Sequence, residues 1–456
     1  MLDELPITLD RARSEPLSVQ VAASLRDAAS NGLLRGGDRL PSSRSLADRL
    51  GVSRTVIAAA YDQLHAEGWI SGKRGSGTYL TTAPPTTPAR AIVHNGVGIG
   101  PTLLDLEPGA PCTDAIDRPA WRRAWRAAAD GSPLVRKDRA GEAEFRTAII
   151  EHLLRHRGLG AGAETTLLAT AGTSSAVSEL AAALLRPGDS VAMEDPGYQR
   201  AAGAFRAAGV HVHPVPVDAA GLRVDLLPPN IRAVYCTPGH QFPLGPRLPA
   251  ARRVELVDHA RRADLLIIED DYDGELRYDA APLPLLAAMA PDVVVHLGTT
   301  SKILSPSLGV GWLVAAPEIT DAIVAYRQRT GTSPSPAGQQ VFVALAAHGD
   351  LARHLRRLRR ELPPRRAFVV TELRRRGLDV LGDDAGSHVV VPLPSADAEE
   401  RAVAATQAQG VGLDPLMRHH LGPERHHFGV ALGYTALSWP DLAEAVPIAA
   451  ACLARP

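Results

Sequence analysis

Lysine is scarce in this chain of 456 residues, and one of its lysines stands where a strand ends. There are three, Lys73, Lys137 and Lys302, among 49 Lys+Arg. Lys302 follows an apolar run, VVVHLG at 293–298, and sits beside Thr299, Thr300 and Ser301. An ammonium at the end of a buried strand loses hydration. A lysine whose pKa is lowered in that way forms a Schiff base with an aldehyde. A solvent-exposed lysine is the plain alternative.

Three other apolar runs end in polar residues. TAGTSSAVSEL (170–180) places a glycine and hydroxyl residues at a helix start, where free N–H groups point outward and suit a phosphate. Gly172, Thr173 and Ser174 are its candidates, although capped helix starts are common. MEDPGYQR (193–200) offers Tyr198 to stack on an aromatic ring and Arg200 to hold a carboxylate; a surface turn reads as well. LLIIEDDYDGELRY (265–278) ends a core strand with Glu269, Asp270 and Asp271. Adjacent buried carboxylates are costly unless a cation or donor offsets them. A metal is one such partner and a protonated ring nitrogen is another. Taken together, a phosphate cradle, a stacking tyrosine, a carboxylate for a pyridinium and an imine-forming lysine describe a pyridoxal phosphate site.

The elements that must position these residues alternate. TLLATAG, DSVAMED, VHVHPVPV, IRAVYCTP, LLIIEDD and VVVHLGTT read as strands, with alanine-rich helices between them. This is the α/β pattern of a mostly parallel sheet with helices on both faces, and its functional residues gather at strand C-terminal ends. The stretch TTAPPTTPAR (81–90), with three prolines and four threonines, reads as an extended linker. The sequence therefore predicts a small domain at 1–80, a linker at 81–100 and a large domain at 101–456.

The small domain reads helix, helix, helix, hairpin. Helices are predicted over 16–32, 42–50 and 53–67, with serines suited to capping the second and third. WISGKRGSGTYL then gives two short strands around a basic, glycine-rich turn. A helix, a turn at Gly51 and a second helix form a helix-turn-helix, whose second helix enters the major groove by its N-terminal end. Ser53, Arg54 and Thr55 lie there. Arg44 starts the preceding helix, and Lys73, Arg74 and Gly75 form a wing. Between Arg35 and Arg54 there are five basic and two acidic residues, so the basic character is local. A solvated charged face on an accessory domain is the competing reading.

The bulk numbers exclude several classes. Net charge is −1, so no global field draws the protein onto nucleic acid or membrane. The three cysteines are too few and scattered for a disulfide framework or a zinc cage. No apolar run approaches the ~20 residues of a membrane span. A cytoplasmic protein is expected.

LPSSRSLADRLGVSRTVIAAAYDQLHAEGWISGKRGSGTYL closely resembles the winged helix of GntR-type bacterial transcription regulators. YCTPGHQFPLGPRLPAARRVELVDHA and IIEDDYDGELRY resemble segments of their MocR/GabR subfamily. Members of that subfamily join a winged helix through a linker to a fold-type I aminotransferase-like domain. The resemblance spans nearly the whole chain. It implies a homodimer, head-to-tail in the family, that binds double-stranded DNA. It also implies pyridoxal 5'-phosphate on Lys302, with Asp270 on the pyridinium nitrogen, Tyr272 on the ring hydroxyl and Tyr198 stacked on the ring. Gly172, Thr173, Ser174 and Thr299 face the phosphate, His240 and Gln241 lie nearby, and Arg200 helps bind an effector.

Two positions depart from the family. SKILSPSLGVGW carries Gly309 where an arginine normally meets the phosphate; Arg136, from a neighbouring subunit, is a candidate substitute. FGVALGYTAL carries Ala431 where aminotransferases place the arginine for a substrate α-carboxylate. Both departures weigh against efficient transamination. The expected function is a pyridoxal-phosphate-dependent regulator sensing an amine, an amino acid or the cofactor itself. The alternatives are a working aminotransferase with a vestigial N-terminal domain, or a regulator whose large domain has lost the cofactor.

Overall fold

The computed structural model describes residues 7–73, 77–81, 104–131, 135–159, 167–278 and 284–455. The chain divides into two compact units, Met1–Ile99 and Gly100–Pro456.

The first unit is a winged helix. Helix α1 (Leu17–Ser30) and helix α2 (Ser43–Leu50) both pack on α3 (Arg54–Ala66), and strands β1 (Ile70–Lys73) and β2 (Gly77–Leu80) form an antiparallel hairpin. Val21, Leu25, Leu46, Ile57 and Leu64 make its core. Ser42 Oγ caps α2 by accepting from Ser45 N at 3.1 Å, and Ser53 Oγ caps α3 by accepting from Val56 N at 3.4 Å. Between them Gly51 takes φ 62°, the left-handed conformation that a tight turn needs and glycine supplies without strain. Arg74 and Gly75 lie outside the described residues.

The second unit begins with a short strand β3 (Leu104–Asp105) and helices α4 (Arg118–Ala129) and α5 (Ala143–Arg157). Its central sheet contains β4 (Leu167–Thr170), β5 (Ser190–Asp195), β6 (His211–Asp218), β7 (Gly221–Leu222), β8 (Ala233–Cys236), β9 (Leu266–Asp270), β10 (Val294–Thr299) and β11 (Gly311–Val314). The order is β4-β11-β10-β9-β8-β5-β6-β7. Strands β10, β9, β8, β5 and β6 run parallel, while β11 is antiparallel to both its neighbours. Successive side chains of a strand point to opposite faces. Val234, Ile267 and Val294 therefore join one core layer, with Phe145, Ile149 and Phe342. Val191, Met193, Tyr235, Ile268 and Val295 join the other, with Val177, Leu180 and Phe205. Burial on both faces is why these strands read as unbroken apolar runs.

Helices α6 (Thr173–Leu184) and α7 (Gln199–Ala207) follow β4 and β5; α8 (Ala250–Ala263), α9 (Leu286–Met289), α10 (Pro317–Thr330) and α11 (Pro336–Ala347) complete the layers. The long α12 (Asp350–Arg375) leads to a smaller sheet, β12-β15-β14. Its strands are β12 (His388–Pro392), β14 (Asp414–Pro415) and β15 (Gly429–Gly433); β13 (Val411–Gly412) pairs with β3. Helices α13 (Ala396–Ala408) and α14 (Trp439–Leu453) pack against each other in this region.

Candidate functional site

The parallel strands put their C-terminal ends at one edge, so Thr170, Asp195, Cys236, Asp270 and Thr299 all close strands of the central sheet there. The three acids around the end of β9 have separate fates. Glu269 accepts from the backbone N–H groups of Leu286 and Ala287, at 2.8 and 3.1 Å, and faces His296. Asp271 pairs with Arg157 at 2.5 Å, both side chains almost wholly buried. Asp270 receives the Tyr235 hydroxyl on Oδ2 at 2.5 Å, and its Oδ1 has no partner among the described residues. Burial pushes its pKa up to about 7, against the pull of the Tyr235 hydrogen bond and the Lys302 charge. A buried acceptor without a donor is costly, and a protonated ring nitrogen is one group that would supply the missing donor. Each of the three acids has a different neighbourhood, which is not how one metal ion is held; among the described residues no group of three metal-ligating side chains assembles.

Lys302 lies in the turn after β10. Its Nζ donates to the Gly109 carbonyl at 2.6 Å. Burial lowers its pKa; Asp273 and Asp270 oppose the shift, and Arg200 adds to it. A lowered lysine pKa increases the neutral amine, the nucleophilic form.

The cradle forms where β4 meets α6. Gly172 has φ 116°, and a Cβ there would lie 3.7 Å from Thr299 Oγ1, so the two loops adjoin. No side chain caps α6, which leaves its first N–H groups open to an anion. Thr299 Oγ1 accepts from Ser301 N at 3.2 Å. Ser174 Oγ and the Tyr198 hydroxyl are 3.0 Å apart, and the Tyr198 ring meets Phe242 edge-on at 5.9 Å. Gly309 has φ 57°, and a Cβ there meets nothing within 4 Å. Arg136 is exposed.

His240 Nδ1 lies 2.8 Å from Asp273 Oδ2 and 3.1 Å from the Tyr272 hydroxyl, which ties Tyr272 to the same corner as Lys302. Burial raises the Tyr272 pKa well above its ordinary value, so it stays a phenol and a donor. Gln241 has a different occupation: Nε2 donates to the carbonyls of Pro196 and Phe242 at 2.8 and 2.6 Å, and Oε1 accepts from Leu244 N at 3.1 Å. It ties two turns together. Arg200 is exposed in the first turn of α7, and its charge is felt at Tyr198 and Lys302.

In the winged helix Arg44, Ser53, Arg54 and Thr55 are exposed, Arg54 and Thr55 at the start of α3. Ser53 is the cap of that helix. Lys73 ends β1. Tyr235, Asp273 and Gly109 were not singled out from the sequence. The available signal was Tyr235, a hydroxyl in the otherwise apolar strand AVYC, where a buried tyrosine needs a partner.

Two family models match. Residues 17–80 fit the family described as "Bacterial regulatory proteins, gntR family", and residues 101–429 fit "Aminotransferase class I and II". The chain is 34% identical over 447 residues to the HTH-type pyridoxine biosynthesis transcriptional regulator PdxR of Corynebacterium glutamicum, covering 95% of each chain. It is 31% identical over 475 residues to the probable rhizopine catabolism regulatory protein MocR of Rhizobium meliloti, covering 96% of this chain and 94% of the relative. The chain is a MocR-type regulator of the GntR family. Its large unit has the fold-type I aminotransferase fold. An archaeal alanine:glyoxylate aminotransferase superposes with a TM-score of 0.72 at 25% identity, over 79% of this chain and 91% of that one. A transcription regulator of this family joins a DNA-binding winged helix to an aminotransferase-like domain, and both parts are present here. Among the described residues no helix is long and apolar enough to cross a membrane.

Proposed function

We propose that the chain is a cytoplasmic regulator that holds pyridoxal 5'-phosphate in its large domain and couples effector binding there to the DNA affinity of its winged helix. The observation that carries this reading is the unpartnered Oδ1 of Asp270 at the end of β9, with the half-buried Lys302 close enough for its charge to act on that carboxylate. The residues fit the cofactor: an acceptor for a pyridinium, a donor phenol at Tyr272, an uncapped helix start for a phosphate and an amine for the aldehyde. When bound, the cofactor supplies that aldehyde and an electron-accepting ring.

In this reading Lys302 is the attachment point and Tyr235 holds Asp270 with Oδ1 free. Tyr198 and Phe242 cover the ring and limit water. Arg200, at the mouth, is the effector contact. Residues 1–80 read DNA, 81–100 link, and 101–456 bind cofactor and dimerise head-to-tail, Arg136 of the neighbouring subunit facing the phosphate. Arg44, Arg54, Thr55, Lys73 and Arg74 contact the duplex, the last two from the wing. Coupling requires that the effector bind the two conformations unequally. Ala431, fully buried against Val390, Leu244 and Leu416, leaves no arginine for an α-carboxylate, which disfavours turnover.

The test is a visible absorption spectrum of the full chain with added cofactor, beside DNA affinity at fixed salt with and without it. A visible band that Lys302→Ala abolishes, and a DNA affinity that responds to cofactor or amine, are expected. A colourless protein that binds DNA equally well in both states refutes the reading. Rapid conversion of amino acids to keto acids would establish the enzyme instead.

A further inference from the structure

The chain between β14 and β15 is fastened to the turn that carries Tyr198. Gly197 N donates to the His419 carbonyl at 2.9 Å, Gln199 Nε2 to the His420 carbonyl at 2.8 Å, and Arg206 Nη2 to the Leu421 carbonyl at 3.1 Å. Leu421 N donates in return to Asp195 Oδ1 at 2.8 Å. Three successive carbonyls are thus held by the stretch that runs from the end of β5 into α7, where Tyr198 and Arg200 lie. The His419 ring meets Phe242 edge-on at 5.0 Å, and Phe242 in turn meets Tyr198.

One side chain of this strap has its protonation set by what it faces. His420 Nε2 lies 2.9 Å from the His427 carbonyl, which can only accept, so that nitrogen carries a proton. Nδ1 lies 3.2 Å from Asp195 Oδ1, the oxygen that also receives Leu421 N. An ionised carboxylate likewise only accepts, so a neutral His420 would turn a lone pair onto an anion. The imidazolium, with two donors, satisfies both partners. Both side chains are shielded from water, 2% exposed for His420 and 9% for Asp195.

The surrounding charges agree. Asp195 faces the ring from β5, and Glu399 of α13 feels its charge; Arg425 opposes them from the loop before β15. Arg206 of α7 is engaged with the Leu421 carbonyl, and His426 and Glu424 pair with each other in solvent. His427 stacks nearly parallel to His420, 6.4 Å away; burial holds its own pKa down, and its Nε2 donates to the Val217 carbonyl at 3.3 Å. Burial alone would lower the His420 pKa, but the Asp195 hydrogen bond, the His427 carbonyl and the Asp195 charge outweigh it, and the net shift is upward. A histidine with a raised folded pKa stabilises its contacts fully below the unfolded value of about 6.5, and that contribution is lost as pH rises through the folded value.

We infer that His420 is a positioning residue: its doubly protonated ring holds the 419–421 strap on the Asp195–Gln199 turn, and loss of one proton loosens that turn and Tyr198 with it. Nε2 keeps its proton for the carbonyl, so the bare nitrogen is Nδ1, facing the one oxygen that also anchors Leu421. The strap itself needs no ligand. Only its consequence, a less firmly seated Tyr198 over the ring, rests on the proposed reading of the Lys302 site.

The test is backbone hydrogen exchange of the full-length chain without cofactor, read by mass spectrometry on peptides covering 195–201 and 417–423 between pH 6 and pH 9 and corrected for intrinsic rates. Protection in both peptides is expected to fall at least ~tenfold over this range, the loss of one charge-assisted hydrogen bond, while winged-helix peptides show no such step. Asp195→Asn moves the fall to lower pH, because the carboxylate that favours the imidazolium is gone. His420→Gln removes the step. Protection that does not change with pH in the unsubstituted chain overturns the inference, whichever variants fold. So does an unmoved step in Asp195→Asn, or the same step in His420→Gln. A colourless protein that still shows the step refutes the cofactor reading and leaves the strap standing.

Discussion

Gly309→Arg separates backbone strain from ligand contact in one substitution. Gly309 has φ 57°, in the left-handed region that side chains other than glycine enter at a cost of roughly 1–2 kcal/mol. A Cβ there meets no atom within 4 Å, so a side chain has room. The strand that follows, β11, runs against the cradle: a Cβ on Gly311 would lie 2.9 Å from Gly172 Cα. In the proposed reading an arginine at 309 therefore starts near the uncapped end of α6, where the phosphate would sit. A charge-assisted hydrogen bond contributes about 1.5–3 kcal/mol, which is about 10- to 100-fold in cofactor Kd. The strain is present in the free and the loaded protein alike, so it cancels from Kd and appears only in unfolding. The two effects are read by different assays: Kd by fluorescence or absorbance titration of the apoprotein, stability by urea unfolding of the same sample. Gly309→Ala is the control, sharing the strain without the guanidinium. Gly309→Arg is expected to lose about 1–2 kcal/mol of stability and still bind cofactor tighter than either Gly309→Ala or the unsubstituted chain. An arginine variant that binds no tighter than the alanine variant refutes the placement of the phosphate at this turn.

Asp270→Asn should stabilise the apoprotein at pH 8 while abolishing cofactor retention. The folded pKa, about 7, lies above the ordinary aspartate value near 4, so this group's contribution favours folding fully below the unfolded value and is lost as pH rises from near 4 through about 7. The ceiling is about 4 kcal/mol, and urea unfolding at pH 5 and pH 8 reads the difference. Arg157→Met should destabilise the large unit by roughly 3–5 kcal/mol, because it leaves the Asp271 carboxylate buried and unpaired; Arg157→Met with Asp271→Leu should recover much of the loss. Ser53→Ala should lower stability by about 1 kcal/mol through the lost cap of α3. Arg54→Ala, exposed in the first turn of the same helix, should weaken DNA binding and leave unfolding unchanged; equal loss of stability in both would argue against a DNA-facing Arg54.

Much of the fold was legible in the chain because its signals are local. The helix starts at Ser42 and Ser53, the stop at Gly51 and the apolar runs ending at Asp270 and Thr299 depend on capping, backbone freedom and burial on two faces. Those read within a few residues. The gathering of functional residues at strand C-terminal ends followed from α/β alternation. Three things needed the tertiary structure. Which of three consecutive acids keeps an unpartnered oxygen was decided by partners distant in sequence: Arg157 for Asp271, the Leu286 and Ala287 N–H groups for Glu269, and Tyr235 for only one oxygen of Asp270. Gln241, adjacent to His240 in sequence, tied turns rather than joining the Tyr272–Asp273 corner, because its amide met the Pro196 and Phe242 carbonyls first. The gathering of His388 and His419 on Phe242, with His240 against His388, joins segments up to 179 residues apart, between 240 and 419. The sequence by itself determined which residue types stood at strand ends and helix starts, since those are set by neighbours along the chain. Only the folded structure decided which polar atoms were left without partners, since a partner is a matter of distance in space.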